Sequence, residues 1–203
     1  MNFRSFLGWL SLNLIFFSTA FSLVALIRFL APWLAFTLWR GWIQLIKLSM
    51  GAVSHFFLKE TCLLHILLRN SLSVSIVFLG GLSLIAPLIM ALCGCFYALN
   101  LFCVNWAPQI ASYVAAIALI EITFFLLTAS FSSTLAGEAF NVKPDLGSLK
   151  KYWLQLKPLK GSKPSWGETF SRNRNALNLY LLAVTGLLLL GGLLEAWLLS
   201  LAA

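Results

Sequence analysis

Residues 110–134 read IASYVAAIALIEITFFLLTASFSST, a run in which Glu121 is the one charged side chain. A helix that crosses a bilayer needs roughly 20 consecutive apolar residues, and this run is longer than that. It therefore predicts a transmembrane helix. The same test, applied outward along the chain, finds three more windows of this kind, at residues 6–27, 71–104 and 176–203.

The composition of the whole chain agrees with these windows. The 203 residues are 61% hydrophobic and 10% charged, with a mean hydropathy of +0.93. Soluble domains are about 25% charged, so this chain could not cover a water-facing surface. We predict an all-α fold, a polytopic transmembrane helix bundle of four to five membrane helices, one of them broken, with an interfacial amphipathic helix beside it.

The chain forms a single integral membrane domain by this interpretation. Its parts are an N-terminal anchor helix (1–31), an interfacial basic helix and linker (32–69), broken and Glu-containing helices (70–136), a cytoplasmic basic loop (137–175) and a C-terminal helix (176–203). Arg4 and the apolar run after it imitate a secretory signal. Because the apolar stretch continues to Leu30, we interpret it as an uncleaved anchor.

The interfacial helix is predicted from a narrow polar stripe. Between Trp33 and Leu58 the polar or small positions recur every three or four residues, at Thr37, Arg40, Gln44, Lys47, Gly51 and Ser54. A basic stripe on an apolar helix favours the plane of the interface. A second full span with a buried stripe is the alternative, although burying Arg40 and Lys47 would cost several kcal/mol.

The run 71–104 is interrupted by Gly80-Gly81 and Pro87. As one helix it would reach about 50 Å, too long for one crossing and short for two. We predict a broken helix that crosses an odd number of times, with Asn70 as the N-cap at its start.

Positive charge is concentrated in segments 28–69 and 137–175, whereas residues 105–109 carry none. An excess of Lys and Arg marks the cytoplasmic side, so both basic segments are predicted inside and the uncharged break outside. Anionic headgroups account for juxtamembrane lysines, and no nucleic-acid partner is predicted. Arg40, Lys47, Lys150 and Lys151 are the predicted membrane-surface basic residues.

Two acids inside the spans are the candidate site residues, Glu121 mid-span and Glu195 near the outer interface. An ionisable group in a span must be paired, neutralised or wetted. A protonated glutamate can hold two helices together through a hydrogen bond. Ion or proton handling and contact with a partner protein are the alternatives. Gly80, Gly81, Gly191 and Gly192 are predicted to allow close helix packing.

The sequence offers little for catalysis. No Ser-His-Asp arrangement, phosphate loop or paired-carboxylate motif can be built from two histidines and six acids, so we predict no enzyme activity, metal or cofactor. His55 and His65 are interpreted as polar interface positions, and ligation of haem or a chlorophyll magnesium is the alternative. The four cysteines, Cys62, Cys93, Cys95 and Cys103, are interpreted as small packing residues.

Residues 65–203 resemble the stage II sporulation protein M family of bacterial membrane proteins. The resemblance is carried by LLRNSLSVSIVFLGG from Leu67, FYALN at 96–100, ALIEITFFLLTASFSSTLA from Ala118 and LLLLGGLLEAWLLS from Leu187. Where that family usually has Pro-His-Gly shortly before the buried Glu, this chain has Ala116-Ile117-Ala118.

The resemblance implies a non-catalytic membrane component of the bacterial cytoplasmic (inner) membrane, or of an internal membrane continuous with it. It also pairs Glu121 and Glu195 with family positions. We therefore expect a scaffold or accessory subunit that contacts lipid and other membrane proteins, including subunits of a pigment or redox complex. The alternative is a transporter or permease subunit in which the broken helix lines a wet cavity and Glu121 faces it.

Overall fold

The computed structural model describes residues 1–54, 63–104, 108–144 and 165–202. Within these ranges it describes the backbone alone at 45–54, 108–109 and 201–202. Its described part is helical, and the helices are α1 (Phe3–Leu30), α2 (Pro32–Ser54), α3 (Leu63–Leu82), α4 (Ala86–Cys103), α5 (Pro108–Phe140), α6 (Trp166–Arg172) and α7 (Arg174–Ala202). Five of them, α1, α3, α4, α5 and α7, are long and apolar enough to cross a membrane. The chain is thus an all-α helical bundle and a multi-pass membrane protein, as predicted.

The helices begin and end where local chemistry requires. Asn2 caps α1, because its side-chain oxygen accepts a hydrogen bond from the backbone N–H of Arg4 at 3.0 Å. Pro32 starts the next helix directly after Ala31, since proline cannot donate to a continuing helix but suits a first turn.

The core lies where α1, α4 and α5 meet and where α3 and α7 cover them. Met90 and Phe124 are fully buried there, packed with Phe17, Val77 and Ala129. The helix axes of α1 and α4 approach closely because α4 carries a glycine at the contact, which permits a short distance between helix backbones.

Helices α3 and α4 form a tight hairpin with the turn at residues 83–85. The backbone N–H groups of Leu84 and Ile85 donate to the carbonyls of Gly81 and Gly80 at 2.9 Å each, the two bonds of a Schellman motif. Leu84 has a φ of 58°, the left-handed conformation that this motif requires. Its side chain is fully buried.

The prediction that 71–104 crosses an odd number of times was therefore wrong. The helix before the break starts at Leu63, eight residues earlier than expected, so that the hairpin has 20 residues in α3 and 18 in α4. Each is long enough for its own crossing. Asn70 is not an N-cap, since it lies inside α3 and is buried.

The contacts between helix ends define two ends of the bundle. At the first, here called the Trp9 end, the start of α1 packs with the α3–α4 turn, the end of α5 and α6 through Trp9, Leu84, Val142 and Trp166. At the second, called the Arg28 end, the Arg28 side chain donates from Nε to the carbonyl oxygen of Phe102 at 3.1 Å, joining α1 to the end of α4.

The two basic segments leave and enter the described helices at opposite ends of the bundle, so the prediction that both share one side was wrong. Segment 28–69 leaves α1 and enters α3 at the Arg28 end, together with Val104 and Pro108, which flank the uncharged break. The segment that follows α5 begins and returns at the Trp9 end, where the Ser165 N–H donates to the Ala139 carbonyl oxygen at 3.2 Å. The cause is the second crossing in 71–104, which reverses every later helix.

Helix α2 packs one face on α1 and α4 and turns the described part of the polar stripe outward. Ala35 is fully buried, and Trp42 packs on Phe96 with 6.1 Å between ring centroids. Thr37 and Arg40 are exposed. The stripe positions whose side chains are described are therefore not buried in the bundle, as the alternative of a second full span required.

The end of α5 extends beyond the predicted Thr134, to Phe140. It closes with a bond from the Val142 N–H to the Gly137 carbonyl oxygen at 2.7 Å, and Asn141 takes a φ of 55°. Helix α6 was not predicted. The sequence also predicts a short helix at about 149–156, which lies outside the described residues. It further predicts Asn173 or Asn175 as the cap of the last helix, but the side-chain amide of Asn173 donates to Glu138 at 2.7 Å.

Candidate functional site

Glu195 forms an ion pair with Arg69. The Nη2 atom of Arg69 lies 2.6 and 2.7 Å from the two carboxylate oxygens of Glu195. The Arg69 side chain is 37% exposed and that of Glu195 is 17% exposed. The pair joins α3 to α7 at the Arg28 end, and it neutralises a charge that would otherwise be costly near hydrocarbon.

Asn70 supports this ion pair from α3. Its side-chain oxygen accepts hydrogen bonds from Nε and Nη2 of Arg69 at 3.3 and 3.4 Å. The Asn70 side chain is 4% exposed, so the amide holds the guanidinium from the buried side. Arg69 is thereby bound by two partners and has little freedom to extend to the headgroups.

Glu121 is bound by a tyrosine of α4. The hydroxyl of Tyr97 donates to a carboxylate oxygen of Glu121 at 2.7 Å, and Tyr97 is 5% exposed. Phe17 and Phe96 enclose the tyrosine ring, with centroids 6.4 and 5.3 Å away. The bond joins α4 to α5.

The two contacts belong to one group. Gly191, one turn before Glu195 on α7, faces Ile120, the residue before Glu121 on α5. Gly192 faces Leu67, two residues before Arg69 on α3, so residues from α3, α4, α5 and α7 come together there. We call Arg69, Tyr97, Glu121 and Glu195 the Glu121 cluster. With one cation and two carboxyl groups, the cluster can bind helices together and can hold a proton.

A second polar row follows α5 toward the Trp9 end. Its hydroxyls are satisfied locally, because Thr128, Ser130, Ser132 and Thr134 each donate to the carbonyl oxygen four residues earlier at 2.6–2.7 Å. Two contacts then reach other helices. Asn13 of α1 donates to Ser130 at 3.3 Å, and the Tyr180 hydroxyl of α7 donates to Thr128 at 3.2 Å.

The hairpin turn and Glu121 lie in different parts of the bundle. The turn packs on the Trp9 end, whereas Tyr97, the partner of Glu121, lies eleven residues beyond Ala86. That separation is about 16 Å along α4. The transporter alternative expected the break to line a cavity that Glu121 faces, and the structure does not bring the two together.

The four glycines named from the sequence lie at contacts between four different pairs of helices. Gly81 faces Ser132 and the backbone of Ser133 on α5, and Gly80 faces Ile89 across the hairpin. Gly192 faces Leu67 of α3, and Gly191 faces Ile120 of α5. A close approach of two helix backbones was missed: a side chain at Gly94 would meet the backbone of Phe17 on α1.

The remaining sequence candidates are spread over the chain. Arg40 is exposed on α2, and Lys47 lies in the part of α2 whose side chains are not described. Lys150, Lys151, His55 and Cys62 lie outside the described residues. His65 is buried in α3 rather than at a polar surface. Cys93, Cys95 and Cys103 are free thiols, and no three His, Cys, Asp or Glu side chains of the described residues could hold a metal ion together.

Sequence reasoning missed both partners of the acids. Arg69 was counted as a loop charge because the apolar run was started at Ser71, after it. Tyr97 is part of the FYALN motif, but in a chain that is 61% hydrophobic a single tyrosine does not indicate that its hydroxyl binds Glu121. Comparison with known proteins adds nothing here, since no protein-family model, curated protein or solved structure matches the chain.

Proposed function

We propose that the chain is a non-catalytic integral membrane scaffold or accessory subunit of a larger membrane protein complex, and that it binds its partners through apolar helix faces. The observation that supports this most is the pairing of both intramembrane acids inside the chain. Glu195 has Arg69, and Glu121 has Tyr97. Acids used in this way hold helices together and give a rigid bundle to which other subunits can bind.

The outer surface of the helix bundle offers apolar area to which such partners can bind. Large hydrophobic side chains are exposed on all five candidate spans, including Leu23, Leu79, Leu92, Leu119 and Leu182. The resemblance to the stage II sporulation protein M family supports the same proposal, with the bacterial cytoplasmic membrane or an internal membrane continuous with it as the proposed location.

A transporter or permease subunit is the second candidate. The Glu121 cluster favours it, because an acid in a span can bind a proton and because Arg69 connects the cluster to the exposed surface at the Arg28 end. This reading requires movement of a solute or ion by the chain itself.

Purification in a mild detergent, followed by mass spectrometry of co-migrating proteins, tests the proposal. We expect a stoichiometric membrane partner. A chain that migrates alone and moves a solute across liposomes would contradict the scaffold function. Glu121→Gln separates the two candidates, since lost assembly indicates a helix-binding role and lost transport with intact assembly indicates a pathway.

A further inference from the structure

The cations at the two ends of the bundle differ in their contacts. At the Arg28 end, Arg28 donates to the Phe102 carbonyl and lies over the Phe36 ring, with 4.9 Å from Cζ to the centroid. Arg69 at that end is held by Glu195. Two of the three arginines whose side chains are described there are thus already bound by protein groups.

At the Trp9 end the described cations are exposed and bind no side chain or backbone group of the described residues. They are Arg4, Lys143, Arg172 and Arg174. Among the described residues none of these side chains takes part in an ion pair or donates a hydrogen bond. Of the acids nearby, Glu138 is occupied by the Asn2 N–H and the Asn173 amide, and Glu168 is exposed. The surface is therefore cationic.

The sequence strengthens this difference. The chain between Pro144 and Ser165, which leaves and re-enters the described structure at the Trp9 end, adds Lys150, Lys151, Lys157, Lys160 and Lys163 against Asp145. Nine of the fourteen Lys and Arg residues are then either described at the Trp9 end or belong to the stretch of sequence that connects Pro144 to Ser165, and the other five belong to segment 28–69, as Arg28, Arg40, Lys47, Lys59 and Arg69.

We propose that the Trp9 end binds the phosphate groups of anionic phospholipids in the cytoplasmic leaflet. Arginine and lysine are the side chains that bind phosphate most strongly, and the anionic cytoplasmic leaflet attracts such residues beside a span. Headgroups border the end of every membrane bundle, which favours lipid over an acidic protein.

The membrane orientation follows from this surface. With five crossings the two ends of the chain lie on opposite sides, so the N-terminus and the loop after α5 face the cytoplasm. Helix α2 and the end of α7 face the other side of the membrane. The surplus of Lys and Arg at the Trp9 end agrees with the positive-inside rule, which counts residues in short loops.

Lipid binding tests the surface directly. The full chain, purified in mild detergent, is titrated with dioleoyl-phosphatidylglycerol and with dioleoyl-phosphatidylcholine while retained lipid is measured by native mass spectrometry. We expect a preference for phosphatidylglycerol that weakens with salt, because phosphate contacts are screened. The combined variant Arg4→Gln, Lys143→Gln, Arg172→Gln and Arg174→Gln should lose at least about tenfold in that affinity.

The matched control carries Arg28→Gln and Arg40→Gln at the opposite end and should keep the preference. Equal binding of the two lipids, or an equal loss in the control, overturns the proposal. A fourfold variant that keeps phosphatidylglycerol but loses a co-purifying protein also overturns it and assigns the surface to an acidic partner. Size-exclusion profiles show whether each variant remains folded.

Reporter fusions test the orientation separately. Alkaline phosphatase folds into its active form only after export, so a fusion after Ala203 should be active in cells, whereas a fusion within the loop after α5 should be inactive. The reverse pattern overturns the orientation. Neither result bears on whether the chain is a scaffold or a transporter, and the proposed function is tested independently of both.

Discussion

The guanidinium of Arg69 and the carboxylate of Glu195, 126 residues apart in sequence, lie 2.6 Å from each other and fasten the hairpin of α3 and α4 to the last helix. Neither residue alone predicts the contact. Exposed ion pairs contribute about 0.2–1 kcal/mol, whereas removing one partner of a buried pair costs about 3–5 kcal/mol. This half-buried pair lies between those limits.

Removing one charge should therefore destabilise the bundle. We expect Arg69→Gln to cost about 2 kcal/mol, because it leaves Glu195 without its cation. The double variant Arg69→Gln, Glu195→Gln should regain part of that loss, since no unpaired charge remains. Titration with denaturant in mild detergent measures the free energy of unfolding of the single and the double variant. Strictly additive losses would show that the two side chains do not interact.

The hydroxyl of Tyr97 should matter more than that of any exposed tyrosine. Tyr97→Phe removes the donor to Glu121 and leaves a buried acceptor unsatisfied, which costs about 1–2 kcal/mol. Tyr113→Phe is the control, because Tyr113 is 43% exposed and its hydroxyl bonds no described residue. Thermal unfolding in detergent compares the two variants. Equal melting temperatures would contradict the assigned hydrogen bond.

The contact between α1 and α4 depends on Gly94. Gly94→Ala places a methyl group against the Phe17 backbone, which cannot move aside as a flexible side chain does, and overpacking of this kind costs about 1–3 kcal/mol. Gly186→Ala is the control, since no atom lies within 4 Å of the added carbon. That change should be neutral or stabilising by up to about 1 kcal/mol. Melting temperatures that fall equally in both variants would argue against the close approach.

Asn141 ends α5 in a left-handed conformation, with a φ of 55°. Glycine adopts this conformation freely, so Asn141→Gly should keep or slightly raise the stability. Asn141→Val should lower it by about 1–2 kcal/mol, because a β-branched side chain is strained there. The side chain is exposed, which separates the backbone effect from packing. A valine variant as stable as the glycine variant would contradict the assigned cap.

Much of the fold was predictable because lipid imposes a simple rule on sequence. Long apolar runs gave the bundle, and Pro32 and the Gly80 to Pro87 interval marked real helix ends. The crossing number was not predictable in the same way. Arg69 and Asn70 look like the boundary of a span, yet both lie inside α3, where Glu195 and the neighbouring amide satisfy the arginine. Charge counting along the chain could not detect a partner 126 residues away.

The candidate site was predictable only in part, for the same reason. Glu121 and Glu195 stand out from the sequence because acids are rare in hydrocarbon. Tyr97 does not stand out, since an aromatic residue in a span is ordinary until its hydroxyl finds an acceptor. Gly94 was not predicted as a packing position, because the interpretation of residues 93–95 considered only the two cysteines.

The turn between α3 and α4 has a consequence for how the protein is made. Residues 83–85 carry no charge, and three residues are too few to form a loop that a positively charged anchor could hold on one side. The two helices are therefore oriented during synthesis as one unit, and inversion of either would force inversion of the other. The chain therefore cannot insert with only α3 or only α4 in the wrong orientation.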